Sequence, residues 1–221
     1  TKVYDCLSHD FVYHDLSKMM IFPGNHDTDR IGDVVRQNPD RMKIVMTMMA
    51  TMRGFPQIFA GDEMMFVSKD KSQGHGGLRV DFPGGWNGDK ENWFTEEGRK
   101  AALTGTDGKP VPAGQVAELH DFTRKLFQWR KGKSVIHDGK TLHFLSRDNT
   151  YAYFRYNADE AVFVFINNSR GRKSIPWSHY AEIAEGLHDG KNVLTGEAVE
   201  VNDSTVVGPR KALVVEYKRK K

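Results

Sequence analysis

This chain of 221 residues has a single cysteine, no long apolar run and no strong excess of charge of either sign. Its single cysteine, Cys6, can form no internal disulfide and has no companion for a zinc knuckle or a redox pair, so a buried, inert thiol is expected. No stretch approaches the ~20 apolar residues of a membrane helix. The first residues, TKVYD, contain no signal-peptide core, although a leader that preceded them would not be visible here. The sequence therefore predicts neither a membrane span nor a disulfide-bonded fold.

Charge is nearly balanced, with 32 Lys and Arg against 29 Asp and Glu, for a formal net charge of +3. Much of the excess lies in the final residues KRKK, which are expected to be a solvated chain end. A footprint for nucleic acid is therefore not predicted. His9 and His14 lack a third ligand at a recognisable spacing, and His75 between glycines is equally weak evidence for a metal. Neither a metal ion nor an organic cofactor is predicted for these residues.

The pattern of apolar residues in the first part of the chain predicts a strand, a helix and a second strand. The strands are predicted at residues 18–22 and 57–60, which are short apolar runs. Asn38 before a proline predicts the start of the helix, and Gly54 its end. Methionines recur between them at helical spacing and predict a buried face. Such a crossover is typical of parallel α/β architecture.

The later part of the chain has a different pattern, with short strands separated by turn residues after a helix predicted at residues 115–131. The predicted strands are residues 141–146, 150–156, 161–167, 198–201, 205–207 and 212–217. Strands at such spacing favour an antiparallel sandwich. The sequence thus predicts two domains, an α/β part at residues 1–133 and an all-β part at residues 134–221.

The most informative stretch is Asn25-His26-Asp27, directly beyond the first strand. In a parallel α/β architecture, the residues past the C-terminal end of a strand face the substrate pocket. Two adjacent acceptor-rich side chains suit the vicinal hydroxyls of a sugar. The alternative is a local turn with an Asx-type hydrogen bond. Asn25 either contacts the ligand or braces the loop, and Arg30 either lines the pocket or pairs with a carboxylate.

Two motifs carry a family resemblance. FPGNHD at residues 22–27, followed by GFPQIFAGDE at residues 54–63, resembles the last two signature regions of the α-amylase superfamily, glycoside hydrolase family thirteen. RVDFPGGW at residues 79–86 resembles the neopullulanase and cyclomaltodextrinase branch found in gut Bacteroidetes. The resemblance implies an α/β plus all-β chain: the C-terminal segments of a (β/α)8 TIM barrel, then the antiparallel β-sandwich usually called domain C. Because a complete barrel takes ~250 residues, the chain is expected to be the C-terminal part of a longer enzyme.

The resemblance also implies roles for individual side chains. Asp27 resembles the third carboxylate of the family, a transition-state stabiliser that holds sugar hydroxyls, and His26 resembles its hydrogen-bonding companion. Glu63, at the end of the last barrel strand, is expected to brace the barrel mouth rather than to catalyse. The further residues expected to bind substrate are Asn25, Arg30, Arg79, Asp81 and Trp86.

Retaining glycosidases need a nucleophile and an acid/base carboxyl group roughly 5 Å apart. The family carries both in motifs upstream of the Asn-His-Asp region, and neither motif occurs in this sequence. The chain alone is therefore predicted to be inactive. Its parent protein is expected to be a retaining α-glycoside hydrolase that acts on starch, maltooligosaccharides, cyclodextrins or pullulan. Two alternatives stay open: a non-catalytic binding or scaffold protein with the amylase fold, and an α-glucan transglycosylase.

The expected partners are an α-glucan substrate and the missing N-terminal half of the barrel. Calcium of the kind that amylases bind is expected, if present, in that missing half. A part-barrel alone leaves apolar edges and helix faces uncovered, so self-association into a homo-oligomer, or poor stability, is expected. The resemblance favours a periplasmic or secreted protein, while the cysteine count permits the cytoplasm equally well.

Overall fold

The computed structural model describes residues 2–79, 81, 82, 84, 86–88, 92, 95–98 and 112–220. The chain divides into two compact units. Unit 1 comprises Thr1–Ile21, Ala50–Phe55 and Lys125–Lys221, and unit 2 comprises Phe22–Met49 and Pro56–Arg124. The division at residue 133 into a barrel part and a sandwich stays a prediction.

Short helices and strands make up most of the described elements. The helices are α1 (Lys2–Leu7), α2 (Ile31–Val34), α3 (Pro39–Thr51), α4 (His75–Leu78), α5 (Ala113–Lys131), α6 (Ser134–His137) and α7 (Ala181–Ala184). Single 3-10 turns lie at Asp10–Val12, Leu16–Lys18, Asp62–Met64, Lys71–Gln73 and Trp177–Tyr180. The strands are β1 (Met20–Ile21), β2 (Phe55–Pro56), β3 (Lys140–His143), β4 (Thr150–Tyr156), β5 (Glu160–Asn167), β6 (Lys173–Ser174), β7 (Leu187–Asn192), β8 (Val206–Val207) and β9 (Lys211–Arg219).

Helix α3 forms where the cap signals predict it. The side chain of Asn38 accepts the backbone N–H of Arg41 at 2.9 Å, which satisfies a donor in the first turn. At the other end, Gly54 has φ +84°, and a Cβ there would lie 2.1 Å from the carbonyl oxygen of Met19, so only glycine fits. The methionine face is buried as expected, with Met42 and Met46 fully inaccessible.

Arg130, near the end of α5, donates hydrogen bonds to carbonyl oxygens in the last turn of α3 and just beyond it. Its guanidinium donates to the carbonyl oxygens of Ala50 at 2.9 Å, Met52 at 3.2 Å and Gly54 at 2.6 Å. Burial lowers the pKa of Arg130, and the helix carbonyls at a C-terminus are the partners that suit a cation. One buried side chain thus fixes the end of α3 within unit 1.

The two N-terminal strands are shorter than predicted and pair with each other in a two-stranded sheet. The second strand lies at Phe55–Pro56 and not at residues 57–60. The carbonyl groups of that later segment are used elsewhere, because Phe59 accepts from the backbone of Asp62 and Ala60 accepts from Arg30. The predicted strand was therefore wrong in position by two residues.

Unit 1 contains an antiparallel five-stranded sheet in the order β3-β4-β5-β9-β7. The register places Thr150 opposite Asn167 between β4 and β5, and Glu160 opposite Lys218 between β5 and β9. One face packs against β6 and β8, which form a two-stranded sheet, and against the segment 177–184. Phe154, Phe163, Trp177 and Tyr180 lie at the centre of that core. This layer arrangement agrees with the expected β-sandwich.

The opposite face of the five-stranded sheet is also covered within unit 1. Tyr153 pairs its hydroxyl with Thr51 at 2.5 Å, and Arg155 donates to the carbonyl oxygen of Ile136 at 2.9 Å. Both faces of the central strand β5 are buried, which explains why its sequence is an unbroken apolar run rather than an alternating one.

Two strand predictions differ from the structure. Strand β7 (Leu187–Asn192) was not predicted, because LHDGKN is polar and contains a register shift between His188 and Lys191. Residues 198–201, predicted as a strand, contribute a single bridge from Ala198 to Lys191. The other predicted strands of this sheet are confirmed to within a few residues at their ends.

Cys6 is exposed, so the expectation of a buried thiol was wrong. It lies on α1, where Leu7 is the buried residue. Phe11 beyond that helix is 83% exposed and Val12 60% exposed, which leaves apolar surface on unit 1. Within the described part of the chain, no helix has the length and hydropathy required to cross a membrane.

Candidate functional site

The loop after β1 is held by its own side chains. The amide oxygen of Asn25 accepts the backbone N–H of Asp27 at 2.9 Å, and the backbone N–H of Asn25 donates to the hydroxyl of Thr28 at 2.8 Å. This is an Asx turn. Of the two roles considered for Asn25, the structure gives it the bracing role, and the turn sets the direction of the two residues that follow.

Asp27 lies at the centre of a group of donors in unit 2. Nη2 of Arg79 lies 2.8 Å from Oδ1 of Asp27, and Nδ1 of His75 lies 3.4 Å from the same oxygen. Nε2 of His26 lies 3.3 Å from Oδ2. Arg79 also donates from Nε to the carbonyl oxygen of His26 at 3.2 Å. The structure therefore brings together His26, Asp27 and Arg79, three of the residues that the sequence proposes for the site, and places His75 beside them.

This cluster is open to solvent. The side chain of Asp27 is 52% exposed, that of His26 60% and that of Arg79 49%. A carboxylate has about four acceptor positions, and Oδ2 faces His26 alone among the described residues. The site can accordingly accept hydroxyl groups from a ligand at Oδ2 while Arg79 holds Oδ1 in place.

Arg30 lies inside unit 2 and not on its surface. Its guanidinium donates to Asp62 at 3.1 Å, to the carbonyl oxygen of Ala60 at 2.7 Å and to that of Leu78 at 3.1 Å. It also stacks over the ring of Phe59 at 3.7 Å. With 2% exposure Arg30 has no surface for a sugar, so the carboxylate-pairing alternative describes it. Its bond to Leu78 fixes the residue before Arg79, which makes Arg30 a positioning residue.

Asp62 is the buried partner of Arg30. Its side chain is inaccessible to solvent and Oδ2 has no hydrogen-bond partner. Burial raises the pKa of Asp62 to about 6, and the neighbouring guanidinium of Arg30 opposes that rise. Glu63 accepts the backbone N–H of Gly61 at 3.0 Å, so it braces the local turn, while a role at the barrel mouth stays a prediction.

The remaining predicted ligands, Asp81 and Trp86, lie in the segment after α4. Both are exposed, and Trp86 packs edge-on against Phe82 at 6.1 Å between ring centroids. In the part of the chain that the structure describes, no contact joins either residue to Asp27. Residues 80, 83 and 85 of the same motif lie outside the described residues.

His75 is the residue that sequence reasoning missed. Glycines flank it and no ligand spacing is present, so its sequence context indicates neither a metal site nor a contact with Asp27. Among the described residues, no group of three His, Cys, Asp or Glu side chains could hold a metal. Its position beside Asp27 depends on α4 folding back over a chain distance of 48 residues, which no local pattern reveals.

Comparison with known proteins agrees with the motifs. Residues 6–174 match the model of the α-amylase catalytic domain, and residues 141–216 match that of the cyclo-malto-dextrinase C-terminal domain. The chain belongs to the α-amylase family. Within that family, its C-terminal match is of the cyclomaltodextrinase type, and the resemblance drawn from residues 22–27, 54–63 and 79–86 is confirmed.

The relatives are longer than this chain. The maltogenic alpha-amylase of Bacillus acidopullulyticus is 25% identical over 159 residues, which is 70% of this chain and 22% of that protein. The chain thus spans about a fifth of the length of this curated relative.

Two solved structures show the fold. The alpha-amylase of Geobacillus thermoleovorans, complexed with acarbose, aligns over 99% of this chain and 43% of its own, with a TM-score of 0.65 and 17% identity. The trehalose-6-phosphate hydrolase of Bacillus licheniformis aligns over 90% of this chain and 43% of its own, with a TM-score of 0.61 and 21% identity. The predicted fold class, barrel segments followed by an antiparallel sandwich, is confirmed.

Proposed function

We propose that this chain is the C-terminal part of a retaining α-glycoside hydrolase and that Asp27 is its transition-state-stabilising carboxylate. The observation that carries the proposal is the half-exposed carboxylate of Asp27, held on Oδ1 by Arg79 and facing, on Oδ2, His26 alone among the described residues. A carboxylate fixed before the substrate arrives stabilises developing positive charge without the cost of reorganisation.

The proposed chemistry follows from charge and hydrogen bonding. An oxocarbenium-like transition state carries positive charge on the sugar ring, and hydrogen bonds to its hydroxyl groups strengthen as that charge develops. Oδ2 of Asp27 would accept one of these hydroxyl groups, and the imidazole of His26 would contact its neighbour. The negative charge of Asp27 would also favour the protonated form of a nearby carboxylic acid.

The rest of the catalytic group would come from outside this chain. The sequence has no nucleophile motif and no acid motif of the family, and the chain covers less than half of the aligned amylase structures. The proposed substrates are α-glucans, in line with the similarity to a maltogenic alpha-amylase. Periplasmic or secreted localisation stays a prediction.

The test is the release of reducing sugar from cyclodextrin, pullulan and starch by the parent protein and by this chain alone. The parent is expected to hydrolyse at least one of them, and the chain alone none. Release by the chain alone would overturn the assignment of nucleophile and acid to the missing part. A parent protein that binds these glucans and cleaves none would support the non-catalytic alternative, and transfer products without reducing sugar would support a transglycosylase.

A further inference from the structure

A cavity lies in unit 1, on the sandwich. Its volume is about 300 Å³, at the lower end of the range for small-molecule sites. The floor is apolar, formed by Phe144, Ala152, Phe165 and Tyr180. Phe144 and Tyr180 meet edge to face at 4.7 Å between ring centroids. The size and floor suit one ring of a small ligand.

One side of the rim is a tight hairpin turn. Strands β3 and β4 are joined through Asp148 and Asn149, which have φ +48° and +60°. Arg147 and Thr150 exchange backbone hydrogen bonds of 3.2 and 2.7 Å across the turn. Two consecutive residues with positive φ are typical of a type I′ turn, in which the backbone angles of both central residues are restricted. The side chains of Arg147 and Asp148 therefore start from fixed positions at the mouth of the cavity.

The rim carries more positive than negative charge. Two cations, Arg147 and Lys173, line the cavity together with a single carboxylate, that of Asp148, and with the imidazole of His179. None of these four side chains has an ion-pair partner within the described residues. Lys133 in the same unit, by contrast, has a carboxylate partner, Glu216, at 2.6 Å. Unpaired cations grouped at a cavity mouth attract an anion.

Electrostatic coupling links the rim to the floor. Burial raises the pKa of Tyr180 to about 12, and the positive charge of Arg147 opposes that rise. The guanidinium thus acts on the phenol group at the base of the cavity. Ser174 and Thr150 add hydroxyl groups to the lining, which a ligand with hydroxyl groups of its own can use.

We propose that this cavity binds a small anionic sugar derivative, such as a sugar phosphate. The ring lies against the apolar floor, and the anionic group lies between Arg147 and Lys173. An apolar floor without cations would bind an uncharged ring as well as a charged one. Cations without an apolar floor would bind inorganic phosphate as well as a sugar phosphate. The combination selects a compact ring that carries an anion. This site does not depend on the function proposed for Asp27.

The experiment is a calorimetric titration of the full chain with glucose 6-phosphate, glucose, maltose and inorganic phosphate. Glucose 6-phosphate is expected to bind more tightly than the other three, and more weakly as salt is raised. Arg147→Gln and Lys173→Gln should each weaken binding about tenfold, because each removes a charge-assisted hydrogen bond. Arg172→Gln is the matched control, since Arg172 is exposed and does not line the cavity, and it should leave binding unchanged.

Three results would overturn the proposal. If glucose or maltose bound as tightly as glucose 6-phosphate, the anionic group would have no role in binding. If inorganic phosphate bound as tightly as glucose 6-phosphate, the apolar floor would have no role in binding. If glucose 6-phosphate failed to bind, or bound the Arg147 and Lys173 variants as tightly as the unaltered chain, the cavity would not be its binding site. The altered side chains lie on the surface, so circular dichroism is expected to show unchanged folding for each variant.

Discussion

Arg79 and Asp27, 52 positions apart in the chain, are joined by a hydrogen bond of 2.8 Å from Nη2 to Oδ1. Arg79 also donates to the carbonyl oxygen of His26, so one guanidinium contacts both proposed ligand residues. The hydrogen bond fixes the orientation of the exposed carboxylate of Asp27, which would otherwise be free to rotate. It links the segment after α4 to the loop after β1 within unit 2.

Arg79→Gln is expected to affect activity far more than stability. Both side chains of the ion pair are about half exposed, and such pairs contribute only about 0–1 kcal/mol to the free energy of unfolding. Misplacement of Asp27 is expected to lower kcat/KM of the parent protein about tenfold to a hundredfold. Thermal melting and steady-state kinetics of the same sample would check this. A variant with unchanged kcat/KM would show that Arg79 does not position Asp27.

Arg30→Met is expected to destabilise unit 2 by about 3 kcal/mol or more, because it leaves the buried carboxyl group of Asp62 unpaired. Adding Asp62→Leu should restore part of the loss, since no buried charge then remains without a partner. Urea unfolding of Arg30→Met, Asp62→Leu and the double variant would measure both effects. Losses that simply add in the double variant would contradict a coupled pair.

Asp62 should also produce a pH dependence of the opposite sign to that of most carboxyl groups. Burial raises its pKa from 3.8 to about 6, so the folded protein binds this proton more tightly than the unfolded chain does. The resulting stabilisation is fully present below pH about 4 and is lost as the pH rises through 6, by at most about 3 kcal/mol. The difference in unfolding free energy between the unaltered chain and Asp62→Asn, measured from pH 4 to 7, isolates this contribution. A difference that does not change with pH would show that burial does not shift this group.

Gly61 and Gly74 offer a matched pair of glycine substitutions. Both have positive φ, +97° and +56°, but a Cβ on Gly61 would lie 2.2 Å from the ring of Phe66, whereas nothing lies within 4 Å of a Cβ on Gly74. Gly74→Ala is expected to cost about 1 kcal/mol from backbone strain alone. Gly61→Ala should cost about 3 kcal/mol, since the clash adds to the strain. Equal melting temperatures for the two variants would refute the clash.

Local signals predicted the elements whose causes are local. Helix α3 begins at an Asn-Pro cap and ends shortly before Gly54. Strand β5 is an apolar run, and strands β4 and β9 carry apolar residues that are buried in the sheet. Strand β7 was missed because its residues are polar and its ladder is interrupted. Strand β2 was misplaced because the carbonyl groups of the residues after it accept hydrogen bonds from the backbone of a turn and from the buried Arg30.

The candidate site was likewise predicted only where its signals are local in the sequence. The Asn-His-Asp motif lies within one turn of chain, and its resemblance to a family points to Asp27 directly. The contact of His75 with Asp27 and the burial of Arg30 against Asp62 depend on the folding of distant segments. Neither His75 between glycines nor Arg30 in a polar loop carries a periodic pattern that would reveal such a partner.

The most direct test of the central claim is steady-state hydrolysis of cyclodextrin by the parent protein carrying Asp27→Asn, with Asp29→Asn as the matched control. Asp29 is exposed and has no ion-pair partner within the described residues. Loss of the charge at Asp27 is expected to lower kcat/KM about a hundredfold or more, mostly through kcat, while Asp29→Asn leaves it nearly unchanged. Turnover that survives Asp27→Asn, or falls equally in both variants, would contradict a stabilising role for Asp27.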